Sequence, residues 1–385
     1  MYKKILLILI CILVLLTGCW DKVEINERAH ISAIGIDRYA PSSGAHKADN
    51  QDSPSGHEDK RNQFKFIFAF PKHSLEETDD IIVATIGDTL YGVSKILADR
   101  TNREMFLGHL RTIILGKSVT EDEHLFRQIL DGIETNELLS RRVILAMTED
   151  DVADIINITP SMEPRIGQFI SEIFNRKDRT PRAPEGSIGD ILKDLYESKN
   201  AVIPKITAGK NDVKVAGAGV ISNYKFKGWL NEVQTAQLMM IKGEAKSAGG
   251  ISIVYKDTIV PIDLKVQKSK MKLVDDNKRI KILINIDAEG DIKQTYFGSN
   301  YDLLEAKTIR EIEDVFNKYM SDRLKETVRV IQEDFRADIL GVDRFLRQRH
   351  YKLWKEVEQE WPEIFPNIEI DVKINIDIRR VGLVR

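Results

Sequence analysis

Apolar and polar residues alternate along this chain with two periods, and the places where one gives way to the other mark its elements. Phe64, Phe66, Phe68 and Phe70 alternate with Lys65, Ile67 and Ala69, which predicts a strand, and Ile31 to Asp37 reads as its partner. From Ile81 to Arg100 the spacing lengthens to three and four through Ile82, Ile86, Leu90, Val93 and Leu97, which predicts one helix. Arg111 to Gly116 and Arg142 to Met147 are short apolar runs of strand type, with a helix at Glu121 to Ile133 between them. This alternation predicts a mixed sheet with helices packed upon it.

A smaller block follows, with strands at Val202 to Ile206 and Val213 to Ile221 and a helix within Trp229 to Met240. Gly217-Ala218-Gly219 lacks the third glycine of a dinucleotide fingerprint and fits a strand bulge better. Ile262, Leu264 and Val266, then Ile280, Ile282, Ile284 and Ile286, predict two facing strands joined around Asp275-Asp276-Asn277. A stripe from Ile309 through Ile312, Phe316, Tyr319, Val328, Ile331, Phe335 and Ile339 predicts a helix over 301–340, about 60 Å long at 1.5 Å per residue. Two short helical pieces come next, at 344–349 and 351–360. Ile368 to Ile378 then alternates fully with Glu369, Asp371, Lys373, Asn375 and Asp377, predicting a long strand at 367–379 that belongs inside a sheet.

These elements give an α+β expectation: three mixed α/β domains at 19–198, 199–249 and 250–385, the last carrying a long helix on an antiparallel-rich sheet. Within the first, 41–62 is rich in Ser, Gly, Asp, His and Lys and reads as a flexible insertion in a hairpin. The basic, proline-bearing stretch Asn175 to Gly186 has two readings, a contact with anionic headgroups or a solvated connection.

Residues 1–18 follow neither period. Lys3 and Lys4 precede the unbroken apolar run Ile5 to Leu16, and Leu16-Thr17-Gly18-Cys19 closes it, the pattern of an export signal. A run of about a dozen residues is shorter than the roughly 20 a membrane-spanning helix needs. Leu16, Thr17, Gly18 and Cys19 resemble the bacterial lipobox, which implies cleavage before Cys19 and a diacylglycerol on its thiol. Two acyl chains give lasting attachment where one gives only marginal binding. Trp20 is a candidate membrane-interface contact, or else packs on the first domain.

Charge and cysteine content narrow the function. The 57 basic and 60 acidic residues give −3, which becomes −5 once Lys3 and Lys4 leave with the signal, so a nucleic-acid partner is not expected. Cys11 lies in the signal, leaving Cys19 as the sole mature thiol and no disulfide or cysteine metal site. No nucleophile elbow, phosphate loop or zinc-protease helix is present. Asp79-Asp80 reads as a helix start, Asp275-Asp276 as a turn, and Glu369 with Asp371 as a solvent face. The chain is therefore expected to be no enzyme, with no metal and no cofactor beyond the lipid on Cys19.

Several motifs together resemble one family. Cys19-Trp20-Asp21 with Glu24, Gly35-Ile36-Asp37, Leu107-Gly108-His109-Leu110, Ile339-Leu340-Gly341, Leu353-Trp354, Trp361, Ile364-Phe365-Pro366 and Arg379-Arg380-Val381-Gly382-Leu383 are similar to the Ger(x)C spore germination lipoproteins, the C subunits of GerA-type nutrient germinant receptors. That resemblance implies a lipoprotein on the outer face of the spore inner membrane, acting beside a polytopic A subunit and a transporter-like B subunit in the nutrient response. It leaves open whether the chain binds a small molecule itself. The rival reading is a substrate-binding lipoprotein serving a transporter, which would show two similar doubly wound lobes around a cleft.

Overall fold

A computed structural model of the chain describes residues 2, 27–39, 64–72, 80–101, 103–176, 183–245, 249–276, 279–293, 302–303 and 305–382. Leu16, Thr17, Gly18, Cys19 and Trp20, the insertion 41–62 and the centre of the basic stretch fall outside them.

The N-terminal half is built on an eight-stranded mixed sheet. Its strands are β2 (Ala33–Arg38), β3 (Phe64–Pro71), β4 (Asp80–Gly87), β6 (Thr112–Gly116), β7 (Ile144–Thr148), β8 (Asn200–Ala208), β9 (Val213–Ser222) and β10 (Lys225–Leu230), in the order β10-β9-β8-β7-β6-β2-β3-β4. A parallel ribbon of β1 (Arg28–His30) and β5 (Glu104–Phe106) stands apart from it. Alternation along the strands feeds two cores. Ile34, Ile36 and the Phe64 to Phe70 series face α1 (Leu90–Arg100), α3 (Glu123–Glu134) and α6 (Ile188–Ser198). Ala33, Ile67 and Ala69 face α4 (Val152–Ile156) and α5 (Ile166–Asn175) on the other side. A short α2 (Lys117–Thr120) follows β6.

One expected helix is two elements. The first third of Ile81 to Arg100 is strand β4, and the helix begins only at Leu90, with Thr89 as its cap: the Thr89 hydroxyl accepts from the Gly92 N–H at 3.0 Å. The β-branched run Ile81-Ile82-Val83 favours strand, and Gly87-Asp88-Thr89 carries the stop and the cap.

The 199–249 block supplies β8, β9 and β10 to the same sheet, joined to β7 at the register pair Met147 to Lys205. These strands are apolar on both faces. Ala201, Ile203 and Ile221 point into the N-terminal core, whereas Val202, Ala218 and Val220 join the C-terminal core with α7 (Glu232–Lys242). Gly217 in β9 has φ +106°, and a Cβ there would lie 2.1 Å from the Leu230 carbonyl oxygen, so the irregular backbone needs glycine.

The C-terminal sheet has the order β11 (Gly249–Tyr255), β12 (Thr258–Asp276), β13 (Arg279–Ile292), β14 (Glu369–Val381). The first three are antiparallel and β14 runs parallel to β13, so the expected facing strands and final strand are present. The long helix, α8, spans Ala306–Val330 and ends in a π-helical turn at Ile331–Phe335, with Arg336 left-handed at φ +49°. At 1.5 Å per residue its 25 residues span about 37 Å, shorter than the stripe predicted, because Phe335, Ala337, Ile339 and Leu340 stay buried after the helix has ended. Helices α9 (Val342–Arg349), α10 (Tyr351–Val357) and α11 (Trp361–Ile364) lead to β14.

The final strand is an edge, not an interior strand as its pattern suggested. Its outward N–H groups are taken by α8 instead: Glu313 accepts from Ile378 at 2.8 Å, Asn317 from Ile376 at 2.9 Å and Ser321 from Ile374 at 3.3 Å. Four residues of helix advance about 6 Å and two residues of strand about 6.6 Å, so the two run in step and the helix covers the edge. The two large sheets differ in strand number and order, unlike the paired lobes of a binding lipoprotein.

Candidate functional site: the motif joints and the seam they brace

Many of the described motif residues gather at three joints, while Arg379 to Val381 end the last strand. At the first, β1 receives the chain as it arrives from the N-terminal segment. The His30 ring stacks on His109 at 4.6 Å and meets Phe106 edge-on, while Leu107 and Leu110 are buried beneath. Leu107-Gly108-His109-Leu110 therefore forms the socket for β1, the first strand among the described residues.

Asp37, the last residue of Gly35-Ile36-Asp37, makes the second joint. Ser118 Oγ donates to its carboxylate at 2.9 Å and the Val152 N–H at 3.3 Å, linking β2 to α2 and α4. Burial pushes the Asp37 carboxyl up, and these two bonds pull against it. Asp80, expected at a helix start, opens strand β4 and does similar work, accepting from Ser32 Oγ at 3.4 Å and the Ile166 N–H at 3.2 Å.

The third joint closes the chain around Asp338. This buried carboxylate accepts from the backbone N–H groups of Gly341 at 3.0 Å, Val342 at 3.1 Å and Asp343 at 2.7 Å, and from Trp361 Nε1 at 3.0 Å. It thereby caps α9 from outside the helix, and Gly341 allows the approach at φ +83°. Trp361 packs edge-on to Trp354 at 5.7 Å and against Phe365 at 6.0 Å. Gln332 Nε2 donates to the carbonyls of Phe365 and Ile368 at 2.8 and 3.0 Å, tying the π-helical turn to the entry of β14.

From this joint α9 reaches across to α6. Arg344 bonds Asp194 at 2.6 Å and Glu197 at 3.0 Å, and Arg347 donates to the Glu197 carbonyl at 2.8 Å. Arg347 also pairs with Asp343 at 3.1 Å. The Asp343 carboxyl is pushed up to about 7, chiefly by burial and then by the neighbouring Asp338 charge, with Arg347 and Arg344 opposing. Burial raises Asp338 as well. Both Asp338 oxygens are occupied by donors, so this carboxylate fixes the path of the backbone. Sequence reasoning passed over Asp338, Arg344 and Asp194. The legible signal was an aspartate three residues before Gly341 and a new helix.

Among the described residues, no group of three or more His, Cys, Asp or Glu side chains is placed to hold a metal ion. Nor is any described helix long and apolar enough to cross a membrane. The lipobox residues and Trp20 lie outside the described residues.

Comparison with known proteins accounts for nearly the whole chain. Residues 21–208 match the family described as spore germination protein N-terminal domain, and residues 216–382 match spore germination B3/GerAC like, C-terminal. Spore germination protein YndF of Bacillus subtilis is 22% identical, covering 98% of this chain and 97% of its own length. Spore germination protein A3 of the same organism is 23% identical and spore germination protein B3 is 21% identical, covering 98% and 97% of this chain. A crystal structure of the GerBC protein aligns with a TM-score of 0.57 over 82% of this chain and 93% of its own, at 19% identity, a likeness of fold.

Proposed function

We propose that this chain, which belongs to the GerAC-like family of spore germination proteins, is the lipid-anchored accessory subunit of a nutrient germinant receptor. The observation that supports this most is the end-to-end match: the two family regions divide the chain between them, and the relatives align over nearly their full lengths. In this reading the subunit acts through contacts with membrane-embedded A and B subunits and performs no catalysis. The motif residues found at joints suit that role, because they hold surfaces in fixed relation.

Cys19 carries the diacylglycerol, with Leu16, Thr17 and Gly18 as its recognition sequence, and Trp20 meets the headgroups. Only eleven residues, Trp20 to His30, separate that anchor from Ile31, a span of at most about 40 Å. The folded chain is thus held beside the outer face of the spore inner membrane, where tethering raises its effective concentration for partners there. Deleting the gene from the spore former that carries it tests the role. The expected result is loss of germination in response to at least one nutrient, restored by the full chain. An unchanged response to every nutrient overturns it.

A further inference from the structure

Strand β12 outruns the strand beside it. β11 pairs only with Thr258 to Leu264, whereas β13 follows β12 as far as Asp276, so the later part of β12 is an open edge. The end of α7 touches that edge at Ser269, whose Oγ donates to the Ile241 carbonyl at 2.6 Å. Among the described residues, no strand lies beyond Lys270 to Val274 on that side.

Register decides what this edge offers. The Lys293 N–H donates to the Pro261 carbonyl at 3.1 Å and the Gly382 N–H to the Ile292 carbonyl at 2.9 Å, so odd-numbered residues of β13 bond toward β12 and even-numbered ones toward β14. Past the bulge between Val266 and Lys268, the odd-numbered Asn285 and Leu283 stand opposite Lys270 and Lys272. The backbone groups of these two lysines therefore serve β13, and those of Met271 and Leu273 point out of the edge. The side chains alternate as well. Met271 and Leu273 share the core face with Ile284 and Ile282, while Lys268, Lys270 and Lys272 stand exposed on the opposite face. That row is crowded: Lys270 holds the Lys268 ammonium below the usual lysine range.

On the core side of the edge, an open cleft of about 870 Å³ separates β12 from α9, within the usual range of ligand pockets. Ile241 and Leu340 are buried in its wall, and Met271, Leu273 and Phe345 are half-buried. Lysines alone commonly guard a free edge. They do not account for apolar side chains lining a hollow beside it.

The geometry points to strand addition at this edge: an extended segment of a partner protein, apolar at every second residue and acidic between, pairs with β12 at Met271 and Leu273 and fills the cleft. The pattern follows from the register. Residues of the added strand on the core face meet Met271, Leu273 and Phe345, which select apolar side chains. Their neighbours lie beside Lys268, Lys270 and Lys272, which select Asp and Glu. Main-chain bonds supply the affinity of such a complex and the alternate side chains its specificity. The inference goes beyond the receptor reading and stands without it.

Fluorescence anisotropy of the labelled peptide acetyl-Glu-Val-Asp-Leu-Glu-Val-Asp-Leu-amide, titrated with the full chain in neutral detergent, tests this. Saturable binding is expected, and a peptide with lysine at the four acidic positions should bind about tenfold more weakly, as reversal of cross-strand charge pairs implies. Lys270→Glu/Lys272→Glu should invert that preference, a change that loss of fold cannot produce. Met271→Pro removes an outward N–H that β13 does not use, and should weaken the acidic peptide about tenfold. No saturable binding of the acidic peptide, equal binding of both peptides to the parent, or an unchanged preference in the lysine double variant overturns the proposal. So does a dimer of the full chain in sedimentation that Met271→Pro dissolves, which would give the edge to a second copy.

Discussion

Asn317 Oδ1 accepts a hydrogen bond from the Ile376 backbone N–H at 2.9 Å, so a helix side chain stands where the next strand of the C-terminal sheet would lie. Glu313 and Ser321, one turn away on either side, do the same for Ile378 and Ile374. Replacing Asn317 by Ala leaves a partly buried N–H without its acceptor, at a cost of about 1–3 kcal/mol. Urea denaturation reads this as a lower midpoint at unchanged slope. The Glu313→Ala/Asn317→Ala chain should also self-associate at concentrations where the parent stays dispersed, because two neighbouring groups of the edge are then open. Parental stability in both variants contradicts the edge-cover account.

The Asp338–Asp343 pair gives stability a pH dependence of definite sign. Asp343 sits near 7 in the folded chain against about 3.9 in an unfolded one, so folding favours its protonated form. Its contribution is fully present below the unfolded value and is lost as pH rises through 7, the folded state holding the extra proton in between. Asp343→Asn removes this slope. Denaturation midpoints from pH 4 to 8 should show the variant gaining on the parent as pH rises, by up to about 1.4 kcal/mol per unit. Parallel curves refute the assignment.

Arg344 bridges α9 to two carboxylates of α6, with all three side chains about one third exposed. Solvent screening limits the energy, so Arg344→Ala should cost about 1 kcal/mol globally. Its clearer effect is local: amide exchange should quicken in α6 and α9 while the centre of the N-terminal sheet keeps its protection. A double-mutant cycle with Asp194→Ala isolates the pair, and a coupling near zero shows that the seam is held by packing alone.

Gly341 tests the closing turn. Its φ of +83° suits glycine, yet a Cβ there would meet nothing within 4 Å. Gly341→Ala is therefore expected to lose about 1 kcal/mol from backbone strain alone, without steric repacking. A loss several times larger in thermal unfolding would mean that the turn carries more than its own geometry.

Much of the architecture was legible because burial follows period. The phenylalanines of β3 and the isoleucines of β13 and β14 fell where alternation put them. Three features were not legible, each for a physical reason. Ile82, Ile86 and Leu90 keep helical spacing by coincidence across the β4–α1 junction. The 199–249 block looked self-contained, but Val202 and Ile203 serve opposite cores, and the partner of a buried face is not written locally. Asp338 is one aspartate among many until folding brings Trp361 to it from 23 residues away. The motifs pointed to the family correctly, and Leu107 to Leu110, Asp37, Gly341, Trp354, Trp361 and Phe365 lie at the joints, whereas Arg379 to Gly382 close the final strand.

The central claim is that the chain works at the membrane as part of a receptor. The most direct test is capture of the tagged full chain from spore inner membranes, with mass spectrometry of what accompanies it and a parallel capture of the Cys19→Ala chain. The account predicts membrane-embedded receptor subunits with the parent, and for Cys19→Ala loss of lipid labelling, release from the membrane fraction and far lower recovery of those subunits. Recovery of the parent without any membrane-embedded partner, or undiminished membrane attachment of Cys19→Ala, would contradict it.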